Sequence, residues 1–286
     1  MSAAMLIVPV MDIIAKYLSA SMAPLQITFG RFFVQLLIAG TAAILIGQTR
    51  ALLGRRPLIN LLRGVLLAMA VLCFFTAVKY MSVATAISIF FVEPMILTVL
   101  AAIVLKERIG PRRIGAVVVG LAGALIILRP NLLEIGAVSL LPLATATFFA
   151  LYLLLNRLYA GADGLLAIQF SAGLAGSVVL GLGLFGMPVI YPDAISIIMP
   201  DLGQIGWLIA IGAISFVGHG LVVMAFQRGE AALLAPLQYL EIVSATALGY
   251  LVFSDFPDGP TWAGIALIVL SGLYITHRER QAHRSA

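Results

Sequence analysis

The sequence has very little charge and almost no cysteine. Only 10% of its 286 residues are Asp, Glu, Lys or Arg, whereas 62% are hydrophobic, and the mean hydropathy is +1.13. So few polar residues cannot cover the surface of a soluble globule, and we expect an integral membrane protein. Cys73 is the single cysteine, which excludes an internal disulfide and a cysteine-based metal cluster.

Several kinds of functional motif are also missing. The sequence has no Walker-type loop, no metal-ligand spacing and no nucleophile beside a local base, so we predict neither an enzyme nor a cofactor or metal site. ATP-driven transport would need another subunit. The net charge of +5 comes from Lys and Arg residues at the ends of apolar segments, where they orient the chain in the membrane, so it is no sign of nucleic-acid binding and we expect no nucleic acid as a partner.

Apolar segments of helical length fill most of the chain. A membrane barrel would instead show segments of roughly ten residues with alternating polarity. The first segment contains Asp12 and Lys16 and lacks a basic start, so we interpret it as a retained helix rather than a signal peptide. The sequence predicts an all-α integral membrane fold with ten transmembrane helices at Ala3–Ala20, Leu25–Gly47, Leu61–Tyr80, Ala84–Leu105, Ile114–Leu128, Ala137–Leu155, Leu165–Gly186, Ile205–Phe226, Ala231–Phe253 and Trp262–Thr276.

The basic residues are concentrated in alternate connections between these helices. One set of connections holds Arg50, Arg55, Arg56, Arg63, Lys106, Arg108, Arg112, Arg113, Arg157, Arg228, Arg278, Arg280 and Arg284. The other set has little beyond Lys79 and Arg129, and it includes the longest connection, Met187 to Gln204. The positive-inside rule then predicts that both termini are cytoplasmic and that Met187 to Gln204 is an irregular outer loop.

Two predicted helices carry an acid near their middle and a proline close to it. Glu93-Pro94 lies halfway along Ala84–Leu105, and Glu241 lies halfway along Ala231–Phe253 with Pro236 one turn earlier. A lone carboxylate near the bilayer midplane is costly. A proline there removes a backbone donor and interrupts the helix. We expect both prolines to act as hinges and both acids to face a central cavity, although a structural acid bonded to a neighbouring helix remains the alternative.

The two halves of the sequence resemble each other at an offset of 148 positions (241 − 93). At that offset Ala77, Ala84, Glu93, Thr98 and Glu107 align with Ala225, Ala232, Glu241, Thr246 and Asp255. Because an odd number of crossings reverses the orientation of the second copy, this pattern predicts two inverted five-helix repeats. We place the repeats at residues 1–130 and 136–277, joined by a short loop at 129–134 and followed by a basic tail at 278–286.

Other residues inside the helices are further candidates for substrate binding. Asp12 and Lys16 lie four positions apart, acid first, which favours pairing between them. Lys16 and Arg31 lie near enough to the outer ends of their helices to reach the interface, where they would orient the chain, or they pair inside the protein. The alternative is that they line an outward-facing vestibule as cationic ligands, and Arg31 is also a candidate counterion for a cavity acid. The rings of Phe90, Phe91 and Tyr239 either pack or stack on a planar substrate. His219, between two glycines, is interpreted as a helix-contact residue, with a proton relay as the alternative. Ala116, Gly120 and Ala124 are interpreted as a close-packing stripe.

The chain resembles the ten-helix EamA-type members of the drug/metabolite transporter superfamily over nearly its whole length. The residues that carry the resemblance are Asp12 to Leu18, Gly30-Arg31-Phe32-Phe33, Leu62-Arg63-Gly64, Leu105-Lys106-Glu107-Arg108 and Ala235 to Glu241. The resemblance is strongest to bacterial carriers of S-adenosylmethionine or riboflavin. It implies a central cavity between inverted repeats and transport without ATP.

We therefore expect a secondary transporter for a small organic metabolite, such as S-adenosylmethionine or riboflavin, working by alternating access. An amino-acid or drug exporter of the same superfamily is the alternative within transport. A non-transporting membrane scaffold is the alternative of another class. The partners expected are the metabolite and the lipid bilayer. The sequence leaves open whether transport is coupled to protons, whether it is uptake or export, and whether the protein is a monomer or a homodimer.

Overall fold

The computed structural model describes residues 1–49, 52–106, 110–159, 163–190, 197–228 and 231–284. Within these ranges all regular structure is helical, with no strand. The α-helices are α1 (Ser2–Leu18), α2 (Pro24–Leu45), α3 (Pro57–Val78), α4 (Val83–Phe90), α5 (Glu93–Val104), α6 (Pro111–Ile135), α7 (Leu141–Leu158), α8 (Leu165–Ile190), α9 (Leu202–Arg228), α10 (Ala231–Gln238), α11 (Leu240–Phe253) and α12 (Gly259–Arg284). A short 3₁₀ helix, Gly136–Leu140, precedes α7.

The two predicted helices with central acids are both interrupted. α4 ends at Phe90, the residue whose carbonyl the ring of Pro94 would meet in a continuous helix, and α5 starts again at Glu93. In the second case the interruption is at Tyr239, between α10 and α11, and Pro236 lies inside α10. The expected break at Pro236 itself is therefore wrong by three residues, although the interruption before Glu241 is present.

Two predicted connections are more helical than expected. The loop expected at 129–134 is wrong, because α6 continues through Pro130 as far as Ile135. The chain turns instead at Gly136, whose φ of 67° lies in the left-handed region that glycine adopts without a Cβ clash. The outer connection is shorter than Met187 to Gln204, since α8 runs to Ile190 and α9 begins at Leu202. Residues 191–196 of this predicted loop lie outside the described residues.

Seven segments of the described chain are long and apolar enough to cross a bilayer. One of them, Pro111–Leu158, has 48 residues and includes the turn at Gly136. A helix of that length would measure ~70 Å, about twice the hydrocarbon thickness. Together these segments define a multi-pass, all-helical membrane protein.

The helices pack in an order that brings both halves of the chain into one core. α1 packs against α9 and α11, α7 packs against α3 and α5, α2 lies along α8, and α6 lies along α12. The α6 and α12 backbones approach closely at Gly123 and Gly264, where a Cβ on either would lie within 2.9 Å of the other's carbonyl oxygen. The stripe of Ala116, Gly120 and Ala124 is buried or closely packed, which confirms its interpretation as a packing surface.

Candidate functional site

A cavity lies where the interrupted helices meet the core. Three acids from different parts of the chain line it: Asp12 on α1, Glu93 on α5 and Glu241 on α11. The remaining wall residues are mainly aromatic and aliphatic, and the cavity has a volume of about 130 Å³. Its lining comprises Met5, Val8, Met11, Asp12, Leu67, Ala70, Val71, Phe74, Phe75, Ile87, Phe90, Phe91, Glu93, Thr145, Phe149, His219, Val222, Gln238 and Glu241.

Glu93 and Glu241 occupy corresponding places in the two interrupted helices. Glu93 is the first residue of α5, and Glu241 is the second residue of α11. The unpaired N–H groups at a helix start carry partial positive charge, which favours a carboxylate there. Glu93 is 7% exposed, and its Oε1 atom has no hydrogen-bond partner in the described part of the protein. The fold thus brings the two acids to one cavity and leaves an acceptor of Glu93 unsatisfied.

Arg31 lies behind the cavity wall and interacts electrostatically with Asp12. Its side chain is fully buried, and Nε donates to Ser215 Oγ at 2.8 Å. Neither terminal nitrogen of the guanidinium has a hydrogen-bond partner among the described residues. Arg31 therefore reaches neither the interface nor a vestibule, and of the alternatives expected for it the structure agrees with pairing inside the protein. Arg31 instead contacts Ser215 of α9 and interacts electrostatically with Asp12 of α1.

Lys16 lies in a different place from Asp12, and the expected pairing of these two residues is wrong. Lys16 Nζ forms an ion pair with Asp255 and donates to Met81 O at 3.2 Å. It also lies 4.9 Å from the centre of the Phe253 ring. The helix offers an i, i+4 pair, but the connection after α11 supplies the nearer acid. Lys16 thus lines a separate, larger vestibule of about 760 Å³, together with Lys79, Asp201 and Trp207.

The aromatic candidates divide between the cavity and the core. Phe90 lines the cavity and packs edge-on against Phe74 and Phe149, with ring centres 6.4 and 5.4 Å apart. Phe91 also lines it and lies 5.1 Å from Tyr239. Tyr239 does not line the cavity, and its hydroxyl packs against Gly272 of α12, where any Cβ would clash. Tyr239 supports the wall of the cavity from behind.

His219 lines the cavity, and a neighbouring glycine makes the helix contact instead. Its Nδ1 atom lies 3.2 Å from Ser215 O. A Cβ on Gly218 would lie 3.0 Å from Val8 on α1, so Gly218 permits the close approach of α9 to α1. The close approach of these helices thus lies in the segment that the sequence interpretation singled out, and His219 itself lies at the cavity.

Several lining residues could not be identified from the sequence. Phe74 and Phe149 lie in uniformly apolar helices, where no local pattern distinguishes a cavity wall from the core. Thr145 and Gln238 are uncharged, so the cost of burying charge did not mark them. Gln238 alone has a sequence signal, since it stands two positions after Pro236 and three before Glu241.

An acid-lined cavity buried among membrane-spanning helices is typical of membrane transporters. The family comparison agrees. The model of the EamA-like transporter family matches residues 1–129 and again 136–276. The chain therefore belongs to the EamA-like transporter family, and it is a transporter rather than an enzyme.

Similar proteins include carriers of different metabolites. A protein named S-adenosylmethionine uptake transporter from Rickettsia bellii is 26% identical over 95% of this chain and 90% of its own. A riboflavin transporter from Vibrio cholerae is 28% identical over 79% of this chain and 73% of its own. A pseudopaline exporter from Pseudomonas aeruginosa is 26% identical over 95% and 92%, respectively. One crystal structure, 20% identical, superposes with a TM-score of 0.61 over 96% of this chain and 97% of that one.

Proposed function

We propose that the protein is a secondary transporter that moves a small organic metabolite, such as S-adenosylmethionine or riboflavin, across a bacterial inner membrane by alternating access. The observation that carries this proposal is the cavity in which Asp12, Glu93 and Glu241 converge from both halves of the chain. Intramembrane acids are costly unless they bind something. The family membership and the metabolites named for similar proteins support the same function.

We infer ten crossings arranged as two inverted five-helix repeats, with the interrupted pairs α4–α5 and α10–α11 each forming one crossing. The packing order supports this, because exchanging the halves maps the contacts of α1 with α9 and α11 onto those of α7 with α3 and α5. The pairs α2–α8 and α6–α12 map onto themselves. The two separate matches of the family model fit the same division at 1–130 and 136–277.

Substrate entry requires the cavity to widen. Its volume of about 130 Å³ is well below the ~300–1,000 Å³ of sites that enclose drug-sized ligands. The interruptions at Phe91-Val92 and Tyr239 are the natural places for bending, since the helical hydrogen-bond ladder is already broken there. Pro94 and Pro236 maintain that weakness, and movement of α5 and α11 carries Glu93 and Glu241 with them.

The roles proposed for the site residues follow from their places. Asp12, Glu93 and Glu241 bind polar groups of the solute, Phe90 and Phe91 contact its apolar surface, and Arg31 interacts electrostatically with Asp12 from behind the wall. Lys16 contributes at the vestibule, where a solute is first met, and Tyr239 acts by holding Phe91 in place.

Export of a metabolite is the second candidate, because a pseudopaline exporter is as similar to this chain as the S-adenosylmethionine carrier. Solute counterflow in proteoliposomes tests both. Labelled S-adenosylmethionine, riboflavin and amino acids are each offered to vesicles loaded with the same unlabelled solute, with protein-free vesicles as control. We expect transient accumulation of one class without ATP. Accumulation of none of them would leave the scaffold interpretation standing.

A further inference from the structure

We propose that the cavity selects organic cations, specifically solutes whose positive centre is carried on or beside a flat ring or is methylated, as in sulfonium and quaternary ammonium compounds. This inference rests on the proposed transport function and names the class of substrate for it. It comes from the charges and the rings that line the cavity.

The charge of the cavity wall is one-sided. Asp12, Glu93 and Glu241 line it, and its described lining contains no Lys or Arg. Arg31, which is not part of that lining, interacts electrostatically with Asp12 from behind the wall. Glu93 and Glu241 have no ion pair in the described part of the protein. Carboxylates in a low-dielectric site attract a positive charge strongly and repel a negative one.

Glu93 gives the second, independent observation. Its side chain is 7% exposed, and its Oε1 atom lacks any hydrogen-bond partner among the described residues. A buried carboxylate oxygen left without a donor costs free energy, and native proteins nearly always satisfy such atoms. A cationic or N–H-bearing solute in the cavity would satisfy it.

The aromatic wall distinguishes an organic cation from a metal ion. Five phenylalanines line the cavity, and Phe90 stands between Phe74 and Phe149 in edge-on contacts. Phenylalanine has no lone pair for a metal, but the face of its ring attracts ammonium and sulfonium centres within about 6 Å. Among the described residues, no group of three His, Cys, Asp or Glu side chains is placed so that it could hold a metal ion. Rings and acids together therefore fit a solute with both an apolar surface and a positive charge.

Three probes of nearly one shape test the charge preference. The cation 1-methylnicotinamide, neutral nicotinamide and anionic nicotinate share one six-membered ring, whose size suits the contracted cavity. Their dissociation constants are measured by calorimetry on the full-length protein in nanodiscs of neutral lipid. We expect the cation to bind at least ten-fold tighter than nicotinamide, and nicotinate not to bind detectably. S-adenosylmethionine and its neutral thioether, S-adenosylhomocysteine, provide a larger pair with the same expected order.

Variants then assign the preference to the cavity. Glu93→Gln should weaken binding of the cation about ten-fold and leave nicotinamide unchanged, whereas Glu93→Asp should retain part of the preference. Phe90→Leu should weaken binding of the cation more than binding of the neutral probe. The matched controls are Glu134→Gln on the exposed end of α6 and Phe256→Leu at an exposed site, and both should bind like the parent. Thermal unfolding without ligand identifies any variant that fails to fold. If Glu93→Gln fails to fold, Glu93→Asp, which keeps the carboxylate, still tests the role of Glu93.

Equal binding of the three probes, no binding of any of them, or equal losses for cation and neutral probe in Glu93→Gln would each overturn the inference. These results differ from a failure of the proposed function. Counterflow of a neutral or anionic metabolite would preserve transport while removing the cation preference. Selective binding of cations without counterflow of any solute would preserve the site while removing transport.

Discussion

Lys16 forms an ion pair with Asp255, which ties the C-terminal end of α1 to the connection between α11 and α12. The same ammonium group donates to Met81 O in the turn between α3 and α4. One side chain therefore joins three parts of the vestibule wall. An ion pair at this place holds together elements that must separate if α5 and α11 move for solute entry.

We expect the Lys16–Asp255 pair to contribute modestly to stability and more to the rate of opening. The two side chains are 17% and 33% exposed, so solvent screens the pair, and its coupling free energy should be about 1 kcal/mol. Lys16→Ala, Asp255→Ala and the double variant are compared by thermal unfolding and by counterflow rate. Each single variant should lower the unfolding temperature slightly, and both should change the counterflow rate in the same direction. Strict additivity of the two single effects would show that the pair does not couple.

Arg31 should be essential because its charge is buried beside Asp12. Arg31→Gln removes the buried cation that interacts electrostatically with Asp12, so that the Asp12 carboxylate loses this favourable interaction. We expect strong loss of stability and flux in Arg31→Gln. Arg31→Lys should restore a part, since it keeps the charge but loses the Nε bond to Ser215.

Two further variants make the Arg31 test specific. The double variant Arg31→Gln, Asp12→Asn should be more stable than Arg31→Gln alone, because no uncompensated charge remains. Arg112→Gln, an exposed position on α6, is the matched control and should behave like the parent. Unimpaired flux in Arg31→Gln would make Arg31 a packing residue only.

The proposed topology places both termini and the basic connections in the cytoplasm. Ser196 and Ser285 are natural labelling positions from the sequence, but both lie outside the described residues. Ala20 and Gly110 serve better, since both are exposed and a side chain at Gly110 meets nothing within 4 Å. In a Cys73→Ser background, an impermeant thiol reagent on intact cells should label Ala20→Cys and not Gly110→Cys. The opposite labelling would reverse the orientation.

The sequence predicted the fold class and the acids better than it predicted their partners. Glu93 and Glu241 stand out because a carboxylate in an apolar membrane helix is costly and usually has a functional role. The partners of Lys16 and Arg31 depend on which helices become neighbours, and no local spacing encodes that. Pro130 shows the converse error, since a proline that usually ends a helix is accommodated within α6. Phe74 and Phe149 were missed because an apolar residue looks the same beside a cavity as within the core.

Asp258 should make the start of α12 sensitive to acid. Its Oδ1 atom accepts a hydrogen bond from Thr261 N at 2.9 Å, and hydrogen bonds from Thr261 lower the pKa of the carboxyl. A carboxyl with a lowered pKa stabilises the folded state above its unfolded pKa of about 4, and that stability is lost as the pH falls through the folded value.

Asp258→Ala should lower the free energy of unfolding by about 1 kcal/mol, because it removes the N-cap hydrogen bond to Thr261 N. Asp258→Asn should keep most of the cap and remove its pH dependence. Thermal unfolding between pH 3 and pH 7 compares the three proteins. A difference between parent and Asp258→Asn that does not change with pH would contradict the capping role of the charge.

The last prediction concerns the two acids that the fold brings to one cavity. Glu93 is almost fully buried with an unpartnered oxygen, whereas Glu241 is only partly buried, so we expect unequal roles. Glu93→Gln should lose most solute binding, and Glu241→Gln should lose less. Neighbouring acids titrate as a coupled set, so each change should also alter the pH profile of flux. Counterflow across pH and thermal stabilisation by solute are measured for both single variants and the double, with Glu134→Gln as control. Three variants that match the parent in binding and in pH profile would show that these carboxylates only pack between helices.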